Sequence, residues 1–343
     1  MGIILALLVF SFIVFIHELG HFLLAKKNQI AVEEFSIGMG PRLLSKEIGA
    51  TRYSLKLLPL GGSCMMGEDE TDDMSEGSFN SKSPWARIAV IVAGPIFNFI
   101  LAFILAVILI AWIGYGKPII GNVVDGSPAQ EAGLQVGDKI TKMNRRSIHL
   151  FKEVSTFNQL HQGETVRVSY ERNGEQHSVT IDPELTKTGV YLLGIEGTPY
   201  TKATPVTSLK YGAYEVKYWI STALDSLKML VSGKVGVENL TGPVGIVNIV
   251  DDSYQTSKSS GIGLVILNLI NISILLSANL GVMNLLPIPA LDGGRLVFLF
   301  IEVIRGKRVS PEKEGMVHLV GLMLLMGLMV FVMFNDIRTI FFR

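Results

Sequence analysis

Four stretches of the chain, 2–24, 88–113, 262–286 and 317–334, are long and apolar enough to cross a hydrocarbon core of about 30 Å as helices. No other feature narrows the fold as much, because backbone placed in lipid has to satisfy its own hydrogen bonds, which leaves helices or a closed barrel. The fourth stretch is the shortest. The first has no basic start and no small-residue cleavage site, and it contains His17, Glu18 and His21, so it is expected to stay in the protein as a span rather than act as a leader. With 49% hydrophobic and 17% charged residues, the composition agrees with a polytopic membrane protein. The 30 basic residues balance 30 acidic ones, so no whole-chain field draws in nucleic acid. One cysteine, Cys64, excludes an internal disulfide and a cysteine-rich metal site.

Basic residues orient the spans. Lys26, Lys27, Arg42, Lys46, Arg52, Lys56, Lys82 and Arg87 follow or precede the first two, and Arg295, Arg305, Lys307, Arg308 and Lys313 lie between the last two. The positive-inside rule puts both connections in the cytoplasm and both chain ends outside. The acidic cluster Glu68, Asp69, Glu70, Asp72 and Asp73 does not oppose this, because acidic residues weigh little in orientation. Between them, 117–260 has a soluble character, with strands expected at 119–124, 139–143, 165–171, 176–181 and 191–195. From 206 to 231, Leu209, Ala213, Val216, Ile220, Leu224, Leu227 and Leu230 recur at helical spacing and predict an amphipathic helix lying against protein or membrane. In the first cytoplasmic segment Tyr53, Leu55 and Leu57 alternate with Ser54, Lys56 and Leu58 before Pro59 and Gly61-Gly62, a strand and turn whose exposed edge could pair with an extended substrate.

The ionisable residues of the first span carry the chemistry. His17-Glu18-Leu19-Gly20-His21 places two imidazoles four residues apart on one helix face, within reach of a single Zn²⁺. Glu18 then stands beside the open coordination position, where it can take a proton from water. A chance match on a soluble helix would not be surprising, but inside an apolar span each such group costs about 2.5–3.5 kcal/mol or more and is functional by default. The third ligand is expected to be Asp292, in Asn284-Leu-Leu-Pro-Ile-Pro-Ala-Leu-Asp-Gly-Gly294. Pro287 and Pro289 break helix there, and irregular backbone at membrane depth is tolerated only beside protein or a watery cavity. The alternative is that Asp292 merely caps the helix that follows.

These paired motifs, H-E-L-G-H at 17–21 and N-x-x-P-x-P-x-L-D-G-G at 284–294, closely resemble the signatures of the site-2 protease family of intramembrane zinc metalloproteases, bacterial regulator-of-sigma-E type. Gly94-Pro-Ile-Phe-Asn98 and Gly242-Pro-Val-Gly-Ile246 match two further family segments, so the resemblance runs over nearly the whole chain. It implies a polytopic α-helical membrane protein with about four transmembrane helices, a membrane re-entrant β-hairpin at 50–66 and an inserted extracytoplasmic PDZ domain of α+β type. The expected parts are membrane segments at 1–116 and 261–343, a single PDZ domain at 117–198, and a helical connector at 199–260.

The resemblance also implies His17, His21 and Asp292 as ligands of one Zn²⁺ and Glu18 as base. It makes Asn284 a hydrogen-bonding contact for substrate backbone. Asn98 is either a substrate contact too or a helix-to-helix hydrogen bond. Tyr53, Leu55 and Leu57 fall in the family's hairpin, where Gly-Gly-Ser-Cys at 61–64 departs from the commoner Gly-Gly-Tyr-Val. Gly126-Ser-Pro-Ala129 and Ala132-Gly-Leu134 match the PDZ domain, in which Leu192, Gly194 and Ile195 belong to the loop that binds a C-terminal carboxylate. His149, His161 and His177 lack metal-ligand spacing, and His318 is expected to make a structural hydrogen bond.

The activity so implied is hydrolysis of a peptide bond in single-span membrane proteins already cut once by another protease, such as anti-sigma factors or remnant signal peptides, in the bacterial cytoplasmic membrane. Because helical hydrogen bonds shield the scissile carbonyl, the substrate has to unwind first. Two other classes are open. A PDZ scaffold with a structural metal would tolerate Glu18→Gln, and a metal transporter would show metal flux across vesicles.

Overall fold

A computed structural model describes residues 2–67, 75–186, 189 and 191–341, so the acidic cluster at 68–73 lies outside the described residues. The helices are α1 (Gly2–Lys27), α2 (Pro84–Ile113), α3 (Pro128–Glu131), α4 (Phe151–Leu160), α5 (Pro205–Val231), α6 (Pro243–Ser257), α7 (Ile262–Asn284), α8 (Asp292–Arg305) and α9 (Pro311–Phe341). The strands are β1 (Glu34–Ile48), β2 (Thr51–Met65), β3 (Ile120–Val123), β4 (Lys139–Met143), β5 (Arg146–Ser147), β6 (Val166–Arg172), β7 (Glu175–Ile181), β8 (Glu184–Leu185), β9 (Tyr191–Leu192) and β10 (Ile195–Gly197). Two compact units result: 1–105 with 226–343, and 106–225.

In the first unit, α1, α2, α7 and α9 are long and apolar enough to cross a membrane. The fourth is not the short span expected from sequence but a helix of 31 residues. Its apolar run is bounded by Glu312, Glu314, Asp336 and Arg338, which sit on turns that simply continue the helix. Asp336 is buried and accepts from the amides of Gly242 (3.2 Å) and Gly245 (2.8 Å). The Gly-Pro-Val-Gly-Ile segment is therefore the start of α6, with Pro243 in its first turn, and α6 divides what sequence reading treats as one connector. Ala25, Ile30, Val32, Ile88, Val90, Ile91, Leu296 and Leu299 form one buried cluster, and it ties the end of α1 to the start of α2 and to α8.

The β1–β2 hairpin is more elaborate than a strand and a turn. Residues 34–37 pair with 52–55 on one side (Glu34 with Arg52 through Ile37 with Leu55) and with 65–62 on the other (Glu34 with Met65 through Ile37 with Gly62). Residues 52–55 also pair with 47–44, from Glu47 with Arg52 to Leu44 with Leu55. What makes this possible is the bend in β1, where Gly38 and Gly40 both take φ of 85°, a conformation that side chains with a Cβ rarely adopt.

The second unit has a four-stranded sheet in the order β5-β4-β6-β7 and two short ladders, β10 with β3 and β8 with β9. Ile120, Ile140, Met143, Phe157, Val166, Val168 and Ile181 lead its buried core. Four expected strands form within a residue or so of their limits, but the one expected at 191–195 breaks at Gly194, whose φ is 83°. Helix α5 packs on this unit through residue 225. Arg146 pairs with Asp225, Lys152 with Glu215, Thr156 Oγ1 lies 2.8 Å from the Tyr218 hydroxyl, and the rings of Tyr115 and Tyr211 stack at 3.7 Å. Burial draws the pKa of Lys152 below the ordinary lysine value against the pull of Glu215.

Candidate metal centre and peptidase site

His17 and His21 lie one turn apart on α1 and are both 6% exposed. Their Nε2 atoms are 3.2 Å apart. Asp292 Oδ2 completes a triangle, 3.2 Å from His17 Nε2 and 3.5 Å from His21 Nε2. Among the described residues this is the one group of three or more His, Cys, Asp or Glu that could hold a metal. The donor set fits zinc: bonds of about 2.0–2.2 Å in tetrahedral geometry separate ligand atoms by about 3.3–3.5 Å. Asp292 Oδ2 is also buried without a hydrogen bond, which suits an atom whose partner is a cation.

The surroundings shape this triangle. Asp292 is the first residue of α8, and the cap position belongs to Leu291, so Asp292 is not the helix cap that sequence alone leaves open. Its loop is pinned by Ala290, whose amide donates to His318 Nδ1 at 2.9 Å, the structural bond expected of that histidine. On the other wall, Gly94 of α2 leaves room for both imidazoles. A Cβ there would lie 2.6 Å from His21 Cε1 and 2.8 Å from His17 Cε1. His21 Nδ1 donates to the carbonyl of Val90 at 2.9 Å, which leaves Nε2 as the ligating atom.

Asn284, at the end of α7, places its Nδ2 3.4 Å from His17 Nε2, on the face of the imidazole that looks into the triangle. Asn98 is different. Its side chain is fully buried, with Nδ2 3.1 Å from His17 Nδ1, behind the ring. Of the two roles left open for Asn98, this position fits the helix-to-helix bond, with a site histidine as its partner. Its helix is held to α7 as well, because Ser277 Oγ donates to the Asn98 carbonyl at 2.8 Å.

The hairpin departs from expectation in which edge is open. Sequence reading puts the free edge at Tyr53, Leu55 and Leu57, but 52–55 is paired on both sides, and Lys56 and Leu58 pair with Arg42 and Met39. The Tyr53 ring turns to Phe22 and Phe35. Two segments are paired on one side only, 44–47 at one border of the sheet and 62–65 at the other, and the histidine helix lies by the second. There, a Cβ on Gly61 would meet Val14 at 3.5 Å, and one on Gly62 would meet Glu18 Cγ at 3.2 Å and the Ser36 carbonyl oxygen at 2.9 Å. Period-2 alternation identifies a strand but not which of its edges is covered; the Gly38-Met39-Gly40 sequence was the available signal that β1 doubles back.

Leu192, Gly194 and Ile195 belong to the second unit. Leu192 ends β9, Ile195 opens β10, and the turn between is held by Val124 and Ala129, whose amides donate to the carbonyls of Gly194 (2.9 Å) and Leu193 (3.0 Å).

Two imidazoles and a carboxylate converging among membrane-crossing helices, with a glutamate next to the first histidine, define a metallopeptidase embedded in the membrane, and the metal these donors suit is zinc. The chain belongs to peptidase family M50, whose model matches residues 5–328. It is similar to a protein of Clostridium acetobutylicum named as a candidate zinc metalloprotease, with 41% identity covering 98% of this chain and 97% of that one. The regulator of sigma-W protease RasP of Bacillus subtilis is 32% identical over 99% of both chains. Among solved structures, the PDZ domain of an SdrC-like protein from Listeria monocytogenes matches 25% of this chain and 92% of its own length, with 23% identity and a TM-score of 0.22.

Proposed function

We propose that this zinc metallopeptidase cuts a peptide bond in the transmembrane segment of single-span membrane proteins, with His17, His21 and Asp292 as zinc ligands and Glu18 as general base. The observation that carries the reading is the triangle of Nε2, Nε2 and Oδ2 at 3.2–3.5 Å with Glu18 beside it and an open strand edge alongside. Zinc bound there supplies Lewis acidity and brings a water to a near-neutral pKa. The Glu18 carboxylate takes the proton as water attacks the scissile carbonyl and delivers it to the leaving amine nitrogen. Asn284 offers its amide to the backbone of the substrate at the cleavage point. The edge at 62–65 holds the unwound substrate by strand pairing, so the role first read into Tyr53, Leu55 and Leu57 passes to the later part of the same strand, beyond 34–37.

In this reading β1–β2 is a re-entrant hairpin dipping into the bilayer. Lys26 and Lys27, which close α1 just beyond the histidines, put the site near the cytoplasmic face of a bacterial cell membrane. The PDZ-like domain then stands on the opposite face, where its loop at Leu192, Gly194 and Ile195 takes a protein C-terminus or screens substrates not yet shortened. The name of the Bacillus relative, regulator of sigma-W protease, favours anti-sigma factors as the substrate class, with remnant signal peptides as the second.

The test is cleavage of a tagged single-span substrate by purified protein in liposomes. Wild type with zinc cleaves; Glu18→Gln retains zinc and loses at least about 10²-fold in rate, the span of general-base catalysis. Equal rates for both would rule out Glu18 as base, and zinc flux into vesicles without cleavage would favour a transporter.

A further inference from the structure

The two histidines are held from behind in unlike ways. A ring that ligates through Nε2 carries its proton on Nδ1, and that proton needs an acceptor. For His21 the acceptor is the Val90 carbonyl, which cannot play any other part. For His17 the group behind the ring is the Asn98 amide, with Nδ2 at 3.1 Å from Nδ1. In that orientation a donor faces Nδ1, the ring proton belongs on Nε2, and the lone pair needed for metal points the wrong way. The same orientation leaves Asn98 Oδ1 buried with no hydrogen-bond partner. Amide oxygen and nitrogen are nearly the same size, so a half-turn about the last side-chain bond costs no repacking.

From this geometry we infer that Asn98 is a positioning residue for the metal site: its amide oxygen accepts from His17 Nδ1–H and so fixes the tautomer that turns Nε2 to the metal. The inference rests on the zinc reading given above. Among the described residues the side-chain amide of Asn98 is the group hydrogen-bonded to His17 Nδ1, while the residue's own carbonyl accepts from Ser277. A carboxylate at 98 would do the same work, while an apolar side chain of equal volume would fill the space and accept nothing.

The substitutions Asn98→Asp and Asn98→Leu separate this role from packing. The full chain is purified in detergent, and zinc affinity is measured by competition with a chromophoric chelator, beside thermal unfolding of each metal-free variant. Asn98→Asp is expected to bind zinc as tightly as wild type or more so. Asn98→Leu is expected to lose about 10–100-fold in zinc affinity while its metal-free unfolding midpoint stays near that of wild type. A packing role predicts the reverse order, since leucine fills the site and a buried carboxylate disturbs it. Wild-type affinity in Asn98→Leu, or weaker binding by Asp than by Leu, overturns the inference. If wild type binds no zinc, or His17→Ala binds it unchanged, the metal-site reading itself fails and takes the inference with it; wild-type binding that needs His17 but ignores residue 98 sinks the inference alone.

Discussion

Replacing Gly94 by alanine sets two effects of known size against each other. Glycine inside a helix costs about 1 kcal/mol relative to alanine, so on propensity Gly94→Ala stabilises α2. The added Cβ, however, would lie 2.6 Å from His21 Cε1, 2.8 Å from His17 Cε1 and closer still to His21 Nε2. To restore ordinary contact of about 3.4 Å the His21 ring has to move by more than about 0.8 Å, the shift Cε1 alone requires, whereas metal–ligand distances tolerate only about ±0.2 Å. The ring cannot make that move and keep Nδ1 on the Val90 carbonyl at 2.9 Å. Zinc binding should therefore fall by more than about 100-fold, beyond the usual cost of losing an outer-shell partner, while the metal-free protein, in which crowding and the lost Val90 bond outweigh the propensity gain by about 1–3 kcal/mol, still folds and unfolds at a moderately lower temperature. Chelator competition and thermal unfolding, run on the same preparation in detergent, check both halves. A Gly94→Ala protein that binds zinc like wild type would show that the imidazoles do not stand against Gly94. One that loses zinc only because it no longer folds would refute the argument from local crowding.

Three further outcomes follow from other parts of the molecule. Gly62→Val puts a branched side chain against Glu18 and the Ser36 carbonyl, so cleavage should fall at least about 10-fold with zinc affinity unchanged, as expected of an interaction made during reaction rather than of the metal; equal loss of zinc would contradict it. Glu215→Gln leaves the Lys152 ammonium beside Trp219 without its counter-charge; because Lys152 is one-third exposed, the cost should be about 2–3 kcal/mol, below that of a fully buried pair, read as a lowered denaturation midpoint of residues 106–225 by hydrogen exchange. Chelating zinc should lower the unfolding temperature, by the equivalent of about 2.7 kcal/mol relative to protein at a free zinc concentration 100 times Kd, and Glu18→Gln should show the same shift. No shift in either would mean that the triangle does not hold the ion.

How much of this was legible beforehand depends on what each residue is answering to. Long apolar runs answer to the thickness of the bilayer, a single number, and so α1, α2 and α7 lie within a few residues of their expected limits. The last helix was clipped in the sequence because a hydropathy window stops at Glu314 and Asp336, while helical hydrogen bonding continues past them. Asp336 is informative here: it interrupts the apolar pattern in order to bond two amides at the start of α6, a contact across 91 and 94 residues that no local window contains.

The same division runs through the site. Zinc restricts both residue type and spacing, so two histidines one helical turn apart and one carboxylate in a proline-broken loop stand out of a chain of this composition. The residues that aim them are ordinary amides, carbonyls and glycines, and nothing about Asn98, Val90 or Gly94 taken singly shows that they meet an imidazole. Strand identity was readable from alternation, yet which edge is open was not, because it turns on whether β1 doubles back over 52–55. That has a functional consequence. An open edge at 52–55 would make Tyr53 and Leu55 the contacts that choose a substrate, whereas an edge at 62–65 offers the small Gly62, Ser63 and Cys64, with Met65 at its end as the one large side chain. On the proposed function, pairing through the backbone would accept many sequences, and the choice of substrate would pass mainly from the hairpin to whatever lets a segment unwind and reach it.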